Sequence, residues 1–250
     1  MFTPHTSRIK AIAEAFPGSI TALEPIFGQE NITYIDWGNV KNWSNRLGWH
    51  VCNRRLYQFL RGFTGPTKPK FYYGCDYQDP ESEALIQAVK LLGYDVHTKP
   101  VKHIRLPIDV SSISAESPDI IKIFVFNRLL STFSVEMIKQ LNDHLRELNK
   151  KGTRYFEDLK CNFDVEIGRD MLVDSVLSSA NNYSLWSSDS DFADPVNDLL
   201  AQGKKVTVFG TSGLVSRELN QLRTNGLQVF DIKKIKEFIC WARELPPEFK

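Results

Sequence analysis

The sequence predicts an α/β fold: a central, mostly parallel sheet with helices on both faces. Two observations carry this. Short runs of β-branched and aromatic residues alternate with amphipathic segments of about 10–15 residues, which is the pattern of repeated strand–helix–strand units. The 250 residues, 42% hydrophobic and 24% charged, also suffice for one large domain with an ordinary core. Right-handed crossovers then bring the C-terminal ends of the strands to one edge, where open α/β sheets bind ligands.

Taken in order, residues 7–16 carry Ile9, Ile12, Ala13 and Phe16 at helical spacing, and residues 32–37 read as a buried strand containing Asp36. Residues 51–63 place Val51, Leu56, Phe59, Leu60 and Phe63 on one helical face, closed by Gly65-Pro66. A strand over 70–75 precedes a helix capped by Asp79, with Pro80 at its first position and Gly93 as its stop. A third strand is expected over 95–101. Residues 106–119, with Pro107, Pro118 and four serines, read as a loop, and 120–126 as a strand. Helices follow over 134–150 and 164–180, a strand over 183–187, and a helix over 192–201 closed by Gly203. The chain ends with a strand over 205–209, a helix over 216–224 closed by Gly226, a strand over 227–230 and a helix over 232–243. One domain is expected over 1–250, its core about 32–232, with an inserted excursion over 106–157.

Lys and Arg total 31 against 30 Asp and Glu, so global charge implies no polyanionic partner. Cys52, Cys75, Cys161 and Cys240 are widely spaced and form no Cys-x-x-Cys pair, which suits buried thiols in a reducing compartment. No run approaches the ~18 apolar residues of a membrane helix, and residues 1–17 lack the apolar centre of a signal peptide. A cytoplasmic protein is the expectation.

Carboxylates fall where the ligand-binding edge is expected. Asp36 closes the first strand, Asp189 and Asp191 follow the strand over 183–187, and Asp164 and Asp170 lie at and inside a helix start. A single Asp after a strand is often a helix cap, and an isolated Asp-x-Asp is usually a turn. Five acids at three such mouths are harder to explain that way, because crowded carboxylates are costly unless a cation neutralises them. Oxygen ligands without His or Cys select Mg²⁺ or Mn²⁺ over zinc, and such an ion activates water toward a phosphodiester. Asp174, one turn beyond Asp170, reads as a solvated helix residue.

Three motifs, Tyr34-Ile35-Asp36-Trp37-Gly38-Asn39, Lys160-Cys161-Asn162-Phe163-Asp164-Val165 with Asp170, and Ser187-Ser188-Asp189-Ser190-Asp191-Phe192 with Gly203-Lys204-Lys205-Val206, appear in that order. The chain thereby resembles, over about residues 32–232, the NYN domain, a branch of the PIN-like nuclease superfamily that includes LabA-like proteins. The resemblance implies a PIN-like α/β/α sandwich and metal-dependent RNA cleavage with Mg²⁺ or Mn²⁺. It carries the metal and catalytic roles to Asp36, Asp164, Asp170, Asp189 and Asp191. Asn39 would orient a ligand or metal-bound water. Two positions depart from the family, Asn162 and Ser188 standing where it usually has Gly.

Between Trp37 and Cys75 there is no acid but seven Lys and Arg, interleaved with aromatics. Basic groups track phosphates while exposed aromatics stack on unpaired bases, so single-stranded RNA is the expected partner. Lys41, Trp43 and Trp49, in an irregular stretch after Asn39, are the preferred contacts, with Arg54 and Arg55 beside them. Phe59, Phe63 and Phe71 read as core. Lys99, Lys102, His103 and Arg105 form a second basic cluster, His97, His103 and His144 receive no role, and Ser216 reads as a helix cap. The rival reading is a PIN-like module that holds RNA or a protein without cutting. The helix over 134–150 is a candidate homodimer contact.

Overall fold

The computed structural model describes residues 2–66, 68–107, 114–119, 121–123, 130–150, 155–211 and 213–249. They fall into two compact units, Met1–Pro100 with Cys161–Lys250, and Val101–Lys160.

The larger unit is built on β1 (Asn31–Asp36), β2 (Lys70–Tyr72) and β3 (Asp95–His97). The smaller unit contributes β4 (Lys102–Pro107) and β5 (Tyr155–Lys160). The larger unit then resumes with β6 (Asn182–Trp186), β7 (Lys205–Gly210) and β8 (Gln228–Asp231). Its sheet has six strands in the order β3-β2-β1-β6-β7-β8, every neighbouring pair parallel. The strand order reverses between β1 and β6, so the crevice beyond their C-terminal ends is where this architecture places ligands.

Successive strand side chains point to opposite faces, and each face has its own core. Ile35, Phe71, Trp186, Phe209 and Phe230 pack against the helices of one side, among them Ser7–Ala15, Pro17–Phe27 and Asn53–Leu60. Trp186 stacks on Phe209 with ring centroids 4.5 Å apart and planes within 3°. Ile32, Tyr34, Tyr72, Tyr183 and Leu185 pack on the other side, beneath the helices Asp164–Leu177 and Ala193–Ala201. Asp36 shares the parity of Ile32 and Tyr34, so it points toward the side covered by Asp164–Leu177.

The helix Pro80–Leu92 follows the expected grammar: Asp79 accepts from the Glu81 N–H at 3.0 Å and Pro80 starts the first turn. Gly93 ends it at φ +107, where a Cβ would also stand 2.3 Å from Tyr57 Oη. Several expectations are corrected. The stretch after Asn39 is helical, as Trp37–Asn42 and Ser44–Leu47. The helix Pro17–Phe27, with Pro at its start and Pro25 inside it, was not expected. The third strand stops at His97, and residues 102–107, the last two of which were expected to begin a loop, pair antiparallel with an unexpected strand, β5.

Of the strand expected over 120–126, Ile121–Ile123 is a 3-10 turn and the rest lies outside the described residues. The expected final helix is broken: a turn at Ile232–Ile235 and a short helix Lys236–Ile239 give way at Cys240, which goes extended to bridge Val51. In the smaller unit, Ile121, Leu130 and Ile138 form a small cluster under the helix Val135–Lys150. None of the described helices is long and apolar enough to cross a membrane.

Candidate acidic pocket

At the crevice between β1 and β6 lies an open cavity of about 620 Å³, lined by Asp36, Asn39, Asp164, Ser188, Asp189 and Asp191 among others. Local geometry explains the convergence. Asp36 ends β1 and caps the next helix, accepting from the Asn39 N–H at 3.2 Å. Its second oxygen accepts from the Ser187 hydroxyl at 3.1 Å, and that hydroxyl in turn accepts from the Asp189 N–H at 3.3 Å. Ser187 therefore fixes acids on both strands with one oxygen. Asp189 caps the 3-10 turn Ser190–Phe192 through the Asp191 N–H. Asp164 is the first residue of its helix, its carboxylate accepting from the Asn162 amide at 2.8 Å.

Asn39 closes the crevice through its carbonyl oxygen. That oxygen accepts from the Trp43 indole N–H at 2.8 Å, the Ser188 N–H at 3.1 Å and the Ser188 hydroxyl at 2.8 Å. It thus clips the helix after β1 to the loop after β6. Ser188, one of the two positions that depart from the family pattern, supplies two of those three bonds. Asn162, the other, lines the cavity.

The electrostatics are those of a site short of positive charge. Burial, opposed by the Asn39 and Ser187 hydrogen bonds and reinforced by Asp164 and Asp189, pushes the Asp36 carboxyl up to about 6. Burial and the charges of Asp189 and Asp191 raise Asp164 as well. Burial also pushes the lining Cys161 thiol up, keeping it a neutral, poor ligand near pH 7. The donors are hard oxygens, which by their chemistry suit Mg²⁺ or Mn²⁺. As placed, no three His, Cys, Asp or Glu side chains among the described residues stand close enough to hold an ion.

Of the sequence-predicted site residues, the cavity gathers Asp36, Asn39, Trp43, Asp164, Asp189 and Asp191. Asp170 is not among its lining residues. Its carboxylate is buried under the helix, taking the Tyr72 hydroxyl at 2.8 Å and the Arg169 guanidinium at 2.7 Å, with His97 Nδ1 3.8 Å away. Against burial, the Arg169 and Tyr72 hydrogen bonds and the charges of Arg169 and Lys70 hold Asp170 below the usual carboxylate range.

Asp174, expected to be solvated, pairs with Lys70 at 2.6 Å and accepts from the Tyr34 hydroxyl. Trp49 is 5% exposed and belongs to the core. Arg55 is 3% exposed and donates to the carbonyls of Glu237 and Phe238, while Arg54 beside it is exposed. Trp43 is 3% exposed and its indole N–H is spent on Asn39 and Ser188, so it braces the pocket instead of offering an open stacking face. Lys41 is exposed, over the Tyr73 ring. Ser216 caps its helix through the Leu219 N–H, as read. The sequence counts Arg46 only among seven basic residues and marks Ser188 only as a departure from the family pattern, and it gives Ser187 and Asn42 no role. The two serines stand inside a quoted motif at a strand end, which was signal enough.

Residues 126–225 match the family model of the NYN domain. That span contains Asp164, Asp170, Asp189 and Asp191 but not Asp36 or Asn39. The chain is 23% identical to "Low amplitude and bright protein LabA" of Synechococcus elongatus, over 82% of this chain and 86% of that protein. A crystal structure of a protein of unknown function from Vibrio parahaemolyticus has the same fold, with a TM-score of 0.51 at 15% identity, covering 86% of this chain and 98% of that one.

Proposed function

We propose, for a chain whose likenesses support a place in the NYN/LabA-like family, that it hydrolyses RNA phosphodiester bonds in a divalent-metal-dependent reaction at the pocket between β1 and β6. One observation carries the reading: four carboxylates from three separate elements, Asp36, Asp164, Asp189 and Asp191, line one cavity at the switch point of the sheet. Burial and mutual repulsion raise two of them, so a cation would relieve a cost that the fold otherwise bears.

Asp36, Asp189 and Asp191, with Asp164 beside them, would have to draw together by side-chain rotation to hold Mg²⁺ or Mn²⁺, which would supply an activated water and charge neutralisation at the phosphate. The chain's own groups do the positioning. Ser187 fixes Asp36 relative to Asp189, and Asn39 holds the β6 loop so that Asp189 and Asp191 face the cavity. Asp170, with its carboxylate already paired, is assigned to the support of the helix and not to the ion.

The test is cleavage of labelled single-stranded RNA by metal-stripped protein after addition of Mn²⁺ or Mg²⁺, with Asp36→Asn prepared in parallel. Metal-dependent cutting by the wild type, lowered at least a hundredfold in Asp36→Asn, is the expected outcome. Equal cutting by both would sink the reading. A second reading, an RNA-binding module that does not cut, is favoured by the spacing of the acids, no three of the described ligand-type groups converging as placed. RNA retained but uncut by the wild type would select it.

A further inference from the structure

Four carboxylates facing one cavity would repel a phosphate backbone unless a fixed cation offsets them on the approach. Among the described residues lining the cavity, Arg46 is the single Lys or Arg. It lies on the helix Ser44–Leu47, just beyond the Trp43 that Asn39 clips to the β6 loop. Its guanidinium donates one N–H at 3.0 Å to the carbonyl of Gly213, which lies after β7 beside the lining residue Leu214. Gly213 has φ +87, a left-handed conformation that favours glycine. No carboxylate among the described residues is within ion-pair distance of Arg46. The side chain is exposed. A guanidinium has five N–H donors in a planar fork matched to phosphate oxygens, and one bond to Gly213 leaves most of that fork unspent.

We propose that Arg46 is the phosphate clamp of this pocket. It takes the non-bridging oxygens of a phosphate next to the scissile one and holds the strand against the repulsion of the four acids. The proposal rests on the pocket being an RNA site, and it goes beyond that reading by naming the residue that admits the polyanion. The contact is to backbone, so it is independent of sequence. The tie to Gly213 orients the side chain before the strand arrives, which lowers the ordering cost of binding.

The experiment compares the full chain with Arg46→Ala, Arg46→Gln and, as a remote charge control, Lys10→Ala, an exposed residue facing Glu14. Arg46→Gln keeps an N–H for the Gly213 carbonyl but removes the charge. Affinity for a labelled single-stranded RNA is measured in chelator across a range of salt concentrations, and cleavage is measured with Mn²⁺. Thermal melts confirm that each variant is folded.

Both Arg46 variants are expected to bind about tenfold more weakly and to lose about one phosphate contact from the salt dependence. KM should rise while kcat changes little, and Lys10→Ala should behave as wild type. If Arg46→Gln binds like wild type while Arg46→Ala does not, Arg46 is only a loop tie and the clamp is overturned. If neither variant differs from a wild type that binds RNA, the clamp falls while the RNA site stands. A wild type that neither binds nor cuts RNA overturns both.

Discussion

Asp36 occupies the position where the fold asks most of a single side chain. It caps a helix, accepts from Ser187 and faces Asp164 and Asp189 while half-buried. Its carboxyl is raised to about 6 from an ordinary 3.8, so the folded state holds this proton more tightly than the unfolded chain. Stability is therefore undiminished below about pH 4, falls as pH rises through 4–6, and stays reduced above. Asp36→Asn removes that penalty. The metal-free variant should gain on the order of 1–2 kcal/mol over wild type at pH 7.5, less than the full shift implies because solvent screens the group. The gain should vanish near pH 4, and urea unfolding at both values checks it. A variant less stable than wild type at pH 7.5 would mean the carboxylate is favourably placed after all. Neighbouring residues also show what sequence resolves at this scale. Arg54 and Arg55 look alike in a basic run, yet helix phase puts Arg55 one turn before Phe59 and so inside. The phase was legible, but the carbonyls of Glu237 and Phe238 that receive Arg55 lie at the far end of the chain and were not.

At the scale of elements, the helix Asp164–Leu177 connects the pocket to the sheet. Glu166, Asp170 and Asp174 recur every four residues and so share one stripe. Each meets a partner from β2 or from the chain near β3: Lys99 for Glu166, Tyr72 for Asp170, Lys70 for Asp174. This stripe fixes the helix whose first residue is Asp164. Asp170→Ala should cost about 2–3 kcal/mol, because it strands the buried Tyr72 hydroxyl and frees Arg169. Glu166→Gln, at a more exposed pair, should cost about 0.5 kcal/mol or less. Asp170 lies below its usual range, so its contribution is present above about pH 4 and lost as pH falls further, opposite in sign to Asp36. Chemical denaturation of both variants across pH tests this ordering, and equal costs would remove the stripe as the helix's anchor. The spacing was visible in the sequence. Its meaning was not, because the partners lie 67 to 104 residues away in the chain, and without them Asp174 looked solvated.

For the molecule as a whole, alternation and turn residues located most strands and helices of the larger unit. The expectation that chemistry gathers at strand C-termini led to the cavity. Strand order was not legible, since periodicity says which residues face a core but not which strand lies beside which. The smaller unit was read least well, because β4 and β5 stabilise each other only as a pair and neither run alone resembles a strand. If the pocket takes a divalent ion, ligation stabilises the whole larger unit through both halves of its sheet. Mn²⁺ at a hundredfold excess over its dissociation constant should add about 2.7 kcal/mol. The melting temperature should rise at pH 7.5, rise less at pH 5 where protons compete for Asp36, and stay unchanged in Asp36→Asn. A rise of equal size in that variant would place the ion elsewhere.

The pairing of β1 with β6 has a kinetic side as well. The two strands meet only after the chain between Asp36 and Asn182 has folded back, the longest excursion in the sheet. The antiparallel register from Lys102 opposite Lys160 to Pro107 opposite Tyr155 short-circuits much of that stretch. Loop entropy grows only logarithmically with length, so this pairing lowers the closure cost by about half a kcal/mol. Asp36 and Asp189 cannot confront one another until that closure is made. During synthesis the ribosome therefore releases the first acid long before the second, and the nascent chain carries the crowding only once β6 has emerged and docked.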